Sequence, residues 1–220
     1  MREIILDTET TGLDPHSGHR VIEIGAVEMY DKVLTGRKFH YYINPQRNVP
    51  DEAYKIHGIS TEFLLDKPLF SEIAEEMMQF FQSGILVIHN APFDTKFLNY
   101  ELTLLGLPSI DQQNVIDTLP MARKMFPGAK VNLDALCNRF NIDNSNRAFH
   151  GALKDAKLLA DIYVELCGGR QAKFQGFEVK NIIDAELVDV KKEYRKTKII
   201  EPTTEEEIEY KKLLEKLLIN

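Results

Sequence analysis

The amino-acid sequence predicts an α/β fold in which a mixed β-sheet is flanked by helices, followed by a C-terminal arm and a terminal helix. Three β-rich runs with short turns between them come first, which is the pattern of an antiparallel meander. Helical patterns then alternate with short apolar runs, and this alternation favours further strands joined to the sheet through helices. A charged segment and one amphipathic helical pattern follow.

The predicted strands are short runs of apolar or β-branched residues bounded by turn residues. The first ends at Leu6 and leads into an Asp/Thr/Gly turn from Asp7 to Gly12, and Asn44-Pro45 closes the third. The predicted strands are residues 4–6, 21–30, 38–43, 85–88 and 115–116.

The predicted helices carry apolar residues at three- and four-residue spacing. Ser71 is the expected N-cap of one helix, Gly106 and Pro108 stop another, and Gly168-Gly169 end the last helix of the first domain. The predicted helices are residues 51–56, 61–65, 71–82, 91–105, 119–125, 133–140 and 150–166. The chain then divides into a domain at 1–169, a linker or arm at 170–203 and an amphipathic helix at 204–220.

Composition indicates an ordinary globular protein, with 44% hydrophobic and 28% charged residues in 220. The N-terminus lacks the layout of a signal peptide, and no apolar run is long enough to cross a bilayer, so we expect a cytoplasmic protein without membrane contact. Cys137 and Cys167 are too few for a disulfide framework and are expected to be reduced, buried thiols.

The net charge of −7 argues against a protein that holds nucleic acid through a broad basic surface. The charge is compatible with nucleic-acid chemistry if several acids bind metal ions and another protein supplies most of the contact to the nucleic acid.

Asp7 and Glu9 are the first candidates for a metal site. Residues two apart in a strand point to the same face, so these carboxylates lie side by side where the apolar run ends. They repel each other unless a cation lies between them, and hard oxygen ligands suit Mg²⁺ or Mn²⁺. Alone, an Asp-x-Glu pattern is more often a solvated loop, so the pair needs support from elsewhere in the chain.

Asp94, His150 and Asp155 supply that support. Asp94 lies in the first turn of a helix that directly follows a buried strand. Asp155 lies on the apolar face of a late helix, where an acid needs a partner. His150 opens the same helix, and the positive end of the helix dipole favours a neutral imidazole that is available as a general base.

With Asp7, Glu9, Asp94, His150 and Asp155 in this order, the sequence resembles the DEDDh group of 3′→5′ exonucleases, which is named for four acids and a histidine. Within that group it is similar to the proofreading subunits of bacterial replicative DNA polymerases. The matching segments are residues 7–13, 22–27, 63–68, 87–91, 122–128, 133–137 and 150–155. The resemblance covers about residues 3–169 and implies a ribonuclease-H-like fold.

The resemblance also implies two divalent cations, Mg²⁺ or Mn²⁺, bound by the four acids. Asp7 is expected to bridge both ions, Glu9 and Asp155 to complete the site of the attacking water, and Asp94 to support the second ion. His150 is the expected general base that takes the proton of the water. The expected products are a 5′-nucleotide and a DNA strand one residue shorter.

Contacts to the terminal nucleotide are expected from a larger set of residues. The loop after the acids offers backbone N–H groups, Leu13 is placed to wedge against the terminal base, and Glu52 and His57 match a family segment near that nucleotide. The expected substrate-binding residues are Asp7, Glu9, Thr10, Gly12, Leu13, Glu52, His57, Asn90, Phe93 and Asp155.

The C-terminal segment is expected to bind partners. Residues 171–177 resemble a clamp-binding peptide, but the closing hydrophobic pair is displaced by Gly176 and Phe177. The final amphipathic helix is a candidate for docking on the polymerase catalytic subunit or for packing back on its own domain.

Two other functions remain open from the sequence. A DEDDh ribonuclease that trims RNA or short oligonucleotides uses the same chemistry, and the contact to the 2′-OH that distinguishes RNA is not visible in the sequence. A non-catalytic scaffold with the same fold is disfavoured because all five catalytic-type positions are filled.

Overall fold

One mixed β-sheet organises the part of the chain that the structure, a computed structural model, describes, namely residues 1–145 and 149–169. Its strands are β1 (Arg2–Thr10), β2 (Val21–Tyr30), β3 (Val33–Tyr42), β4 (Ile85–Ile88) and β5 (Val115–Asp117), in the order β3-β2-β1-β4-β5. The pairs β1–β2 and β2–β3 are antiparallel, whereas β1–β4 and β4–β5 are parallel. The predicted meander and mixed sheet are therefore confirmed.

Strand β1 is longer than the sequence predicts. The predicted turn at residues 7–12 is wrong in its first part, because Asp7 pairs with Gly25 and Glu9 with Glu23 across the β1–β2 ladder. The backbone partner on β2 keeps these polar residues extended despite their turn-like composition. Strand β3 also begins earlier than predicted, at Val33.

The helices follow the predicted order, with shifts at their ends. Their bounds are α1 (Asp51–His57), α2 (Thr61–Leu64), α3 (Phe70–Phe81), α4 (Ala91–Leu104), α5 (Thr118–Met125), α6 (Leu133–Phe140) and α7 (Ala152–Leu166). Ser71 is not the N-cap of α3, because the helix begins at Phe70 and the Glu72 carboxylate accepts a hydrogen bond from the Leu69 N–H at 2.7 Å.

The sheet separates two hydrophobic clusters. Ile4 and Leu6 pack on one face with residues of α3 and α4, and Ile5 packs on the other with residues of α5, α6 and α7. Since side chains alternate along a strand, Asp7 and Glu9 continue the Ile5 face towards α7. The same alternation directs Thr8 towards α4.

Cys137 is buried as predicted, but the prediction of a buried Cys167 is wrong. Helix α7 ends at Leu166 and leaves Cys167 exposed at its C-cap. Within the described ranges, no helix is long and apolar enough to cross a membrane. The arm at 170–203, the clamp-binding segment at 171–177 and the helix at 204–220 lie outside the described residues.

Candidate active site

The carboxyl end of β1 brings Asp7 among the other predicted acids. Burial raises the pKa of the Asp7 carboxyl well above its usual range, and the negative charges of Asp94, Glu9 and Asp155 raise it further. Carboxylates from β1, α4 and α7 therefore lie close enough to perturb one another. Such a cluster is stable in its ionised form when it binds cations.

Asp94 reaches the cluster because α4 starts directly after β4, the parallel neighbour of β1. Its side chain is buried, and the Thr8 hydroxyl donates a 2.7 Å hydrogen bond to Asp94 Oδ1. Burial raises the pKa of Asp94 to about 7, although the hydrogen bond from Thr8 acts in the opposite direction. The Thr8 contact was missed in the sequence, where this residue stands between two acids without a signal of its own.

Glu9, His150 and Asp155 form the tightest group, with one ligand atom from each lying within 4.8 Å of the others. Asp155 is buried in the first turn of α7, and its Oδ2 lies 3.4 Å from His150 Nδ1. The two carboxylates of this group are hard oxygen ligands that fit a divalent cation, and the imidazole of His150 lies beside them. Together with the crowded carboxyl of Asp7, this group supports a metal centre built from the acids that the sequence predicts.

His150 does not open α7, which corrects the sequence-based expectation. The helix begins at Ala152, and Gly151 occupies the N-cap position with extended backbone, so His150 precedes the helix. The His150 side chain is about half exposed, and its backbone N–H donates to the Ile56 carbonyl at 3.2 Å. This bond ties the histidine to α1, the helix that carries Glu52 and His57.

A cavity of about 490 Å³ opens beside Glu9 and gathers most of the predicted substrate contacts. Its walls come from the end of β1, the loop that follows it, α1 and the start of α4. The predicted residues that line it are Glu9, Thr10, Gly12, Leu13, Glu52, His57 and Phe93. Asn90 is not one of the lining residues; it is exposed at the N-cap of α4, and its N–H donates to Asp117 Oδ1 at 3.0 Å.

His57 lines the cavity and carries a ring nitrogen that has no partner among the described residues. Its Nδ1 accepts from the Ile59 N–H at 3.0 Å, so the neutral ring carries its proton on Nε2. Nε2 is buried without a partner among the described residues, and burial lowers the pKa of the imidazole. A donor of this kind suits an oxygen of a bound nucleotide. Leu13 also lines the cavity; it is 82% exposed and therefore contributes little to the core.

Comparison with known proteins relates these features to a family. The sequence model of the exonuclease family matches residues 4–163. DNA polymerase III subunit epsilon of Rickettsia conorii is 57% identical over 99% of this chain and 97% of its own length. The chain belongs to this family of exonucleases. It is accordingly a metal-dependent 3′→5′ exonuclease of the proofreading type.

Solved structures agree on the fold. Exonuclease X in complex with 5′ overhanging duplex DNA is 25% identical, with a TM-score of 0.60, over 75% of this chain and 90% of that chain. The nuclease domain of 3′hExo, a DEDDh family member bound to rAMP, is 19% identical with a TM-score of 0.63, over 76% and 92% of the two chains. The ribonuclease-H-like fold class predicted from the sequence is thereby confirmed.

Proposed function

We propose that the chain hydrolyses the last phosphodiester bond at a DNA 3′ end, with two divalent cations, Mg²⁺ or Mn²⁺, held by Asp7, Glu9, Asp94 and Asp155. The raised pKa values of Asp7 and Asp94 support this assignment, since bound cations relieve the repulsion among buried carboxylates. When bound, the two ions lower the pKa of a water molecule and stabilise the leaving 3′ oxygen.

His150 is the general base in this proposal. It lies at the edge of the acid cluster, partly exposed, where a proton can pass on to solvent. The neighbouring Asp155 orients the imidazole and stabilises it once it is protonated. The hydrogen bond from its backbone to Ile56 holds the base next to the helix that contacts the substrate.

The terminal nucleotide occupies the cavity next to Glu9 in this proposal. His57 Nε2 donates to a sugar or phosphate oxygen, and Glu52 accepts from a hydroxyl group. Leu13 contacts the base, Phe93 packs beneath the nucleotide, and Thr10 and Gly12 present the backbone of the loop. Asn90, at the N-cap of α4, is not among the residues that line the cavity, so any contact it makes with the DNA strand lies outside this cavity.

Proofreading needs no reading of base identity in this mechanism. A mismatched end unpairs at lower cost than a paired one, so a cavity that accepts single strands favours mispaired primers. The relatives are subunits of DNA polymerase III, which supports a polymerase as the partner of this chain. That partner would supply most of the contacts to DNA. Residues 204–220 are the proposed docking segment for the polymerase, 170–203 the connecting arm, and 171–177 a clamp-binding peptide.

The decisive experiment compares nucleotide release from a 3′-mismatched and a fully paired primer, with and without Mg²⁺, by wild type and His150→Ala. The mismatched end should be degraded faster, only with Mg²⁺ and only by wild type. Equal rates on the two primers contradict proofreading, and faster release from a matched RNA oligonucleotide favours the ribonuclease alternative.

The partner assignment has its own test. A chain that lacks residues 203–220 should lose affinity for the polymerase catalytic subunit and keep its exonuclease rate. Unchanged co-purification with the polymerase contradicts the docking segment.

A further inference from the structure

Strand β2 carries a further buried acid, Glu23, beside the proposed metal-binding acids. It is 2% exposed and lies opposite Glu9 in the β1–β2 ladder. Its Oε1 lies 2.8 Å from His40 Nε2 on β3, and its Oε2 accepts from the Ala152 N–H at 3.1 Å. Both carboxylate oxygens of Glu23 are thus engaged by the protein.

Ala152 is the first residue of α7, the helix that carries Asp155 and follows His150. The first N–H groups of a helix lack partners within the helix, and a carboxylate there also interacts favourably with the helix dipole. Glu23 is therefore a specific attachment point for the start of α7.

Gly25, two residues along β2, brings the same turn of α7 close to the sheet. A Cβ at this position would lie 2.0 Å from the Leu153 backbone nitrogen, so only glycine admits the helix. Residues two apart on a strand face the same side, so Glu23 and Gly25 both contact the start of α7. Gly25 also pairs with Asp7, which places this attachment directly beside the metal-binding acids.

We propose that Glu23, supported by His40, is a positioning residue for the hydrolysis, an inference that rests on the proposed function of the site. Glu23 holds the start of α7 at the distance from β1 at which Asp155 and His150 meet Glu9. The carboxylate can only accept, so His40 donates from Nε2 and keeps Oε1 from turning away. A displacement of about 1 Å at such a constellation lowers a rate by about 100-fold.

The competing explanation is purely electrostatic, because the charge of Glu23 also raises the pKa of Asp7. Two variants of the full chain separate the explanations. Glu23→Gln keeps the length and an acceptor oxygen for Ala152 but loses the charge. Glu23→Asp keeps the charge but is one methylene too short to reach both partners.

The experiment measures kcat and KM for a single-stranded DNA end at saturating Mg²⁺, together with hydrogen exchange of the Ala152 amide. Positioning predicts that Glu23→Gln stays within about 3-fold of the wild-type kcat while Glu23→Asp loses roughly 10- to 100-fold with KM little changed. The Ala152 amide should exchange at least about 10-fold faster in Glu23→Asp than in wild type.

Glu28→Ala is the matched control, since Glu28 is also buried on β2 but pairs with Arg2 and lies opposite Ile4, away from α7. It should lower stability and leave kcat and Ala152 exchange unchanged. A larger loss in Glu23→Gln than in Glu23→Asp overturns the proposal, as does unchanged Ala152 exchange in both. If wild type releases no nucleotide with Mg²⁺, the proposed function fails, and the exchange measurement still tests the attachment of α7.

Discussion

Replacing Asp94 with asparagine should stabilise the metal-free protein while abolishing its activity. The pKa of Asp94 is about 7 in the folded chain, mainly because of burial, against an ordinary value of 3.8. Holding this carboxyl ionised at pH 8 therefore costs about 4 kcal/mol of folding free energy, at 1.36 kcal/mol per pKa unit. The asparagine carries no charge and keeps an acceptor oxygen for the Thr8 hydroxyl.

The sign of the pH dependence follows from the raised pKa. The folded state binds the proton more tightly than the unfolded state. The free energy of unfolding of the metal-free wild type therefore falls as pH rises from about 4 towards 7, and it stays low above pH 7. The advantage of Asp94→Asn should therefore be about 4 kcal/mol at pH 8 and below about 2 kcal/mol at pH 5.

Urea unfolding in the presence of a chelator, followed by circular dichroism at pH 5 and pH 8, measures both differences. Excess Mg²⁺ should reverse the order, because ions that bind only the folded state stabilise the wild type more than a variant that lacks one ligand. A variant that is no more stable than wild type at pH 8, or equally favoured at both pH values, contradicts the electrostatic account of the cluster.

Three further substitutions test separate parts of the structure. His150→Gln should lower the rate of nucleotide release by about 10²- to 10⁴-fold with little change in KM, and a release assay that finds only a KM effect removes the general-base role. Leu13→Ala should change the unfolding free energy by less than about 0.5 kcal/mol, because the side chain is 82% exposed, but raise the KM for single-stranded ends. Gly25→Ala should destabilise the fold by about 1–3 kcal/mol in thermal or urea unfolding, since its Cβ meets the α7 backbone, and unchanged stability contradicts that close approach.

Secondary structure was predictable where the signal is local. Strands β2 and β4 and helix α6 have the predicted bounds, because apolar periodicity and flanking turn residues define them within a few positions. The errors fall where distant residues decide the outcome. Strand β1 extends through Thr10 because β2 pairs with it, and His150 lies outside α7 because Gly151 adopts the extended N-cap conformation.

For the candidate site, too, the sequence identifies some residues, and only the structure shows the contacts of others. Residue type, spacing and order mark Asp7, Glu9, Asp94, His150 and Asp155, since carboxylates next to apolar runs are conspicuous without coordinates. Glu23 has a comparable signal, an acid within an apolar strand run, but its partners His40 and Ala152 are distant in the chain. Nothing in the local sequence indicates that a carboxylate on β2 contacts the start of α7.

The sequence by itself therefore determined the α/β class, the order of the helices and strands, and the identity of the acids, because these depend on interactions among neighbouring residues. Only the tertiary structure decided that Glu9, His150 and Asp155 come within 4.8 Å, that Leu13 and His57 face one cavity, and that Glu23 holds α7. Those facts depend on long-range packing across the sheet, where chain connectivity leaves many arrangements open and burial of the two hydrophobic clusters selects one.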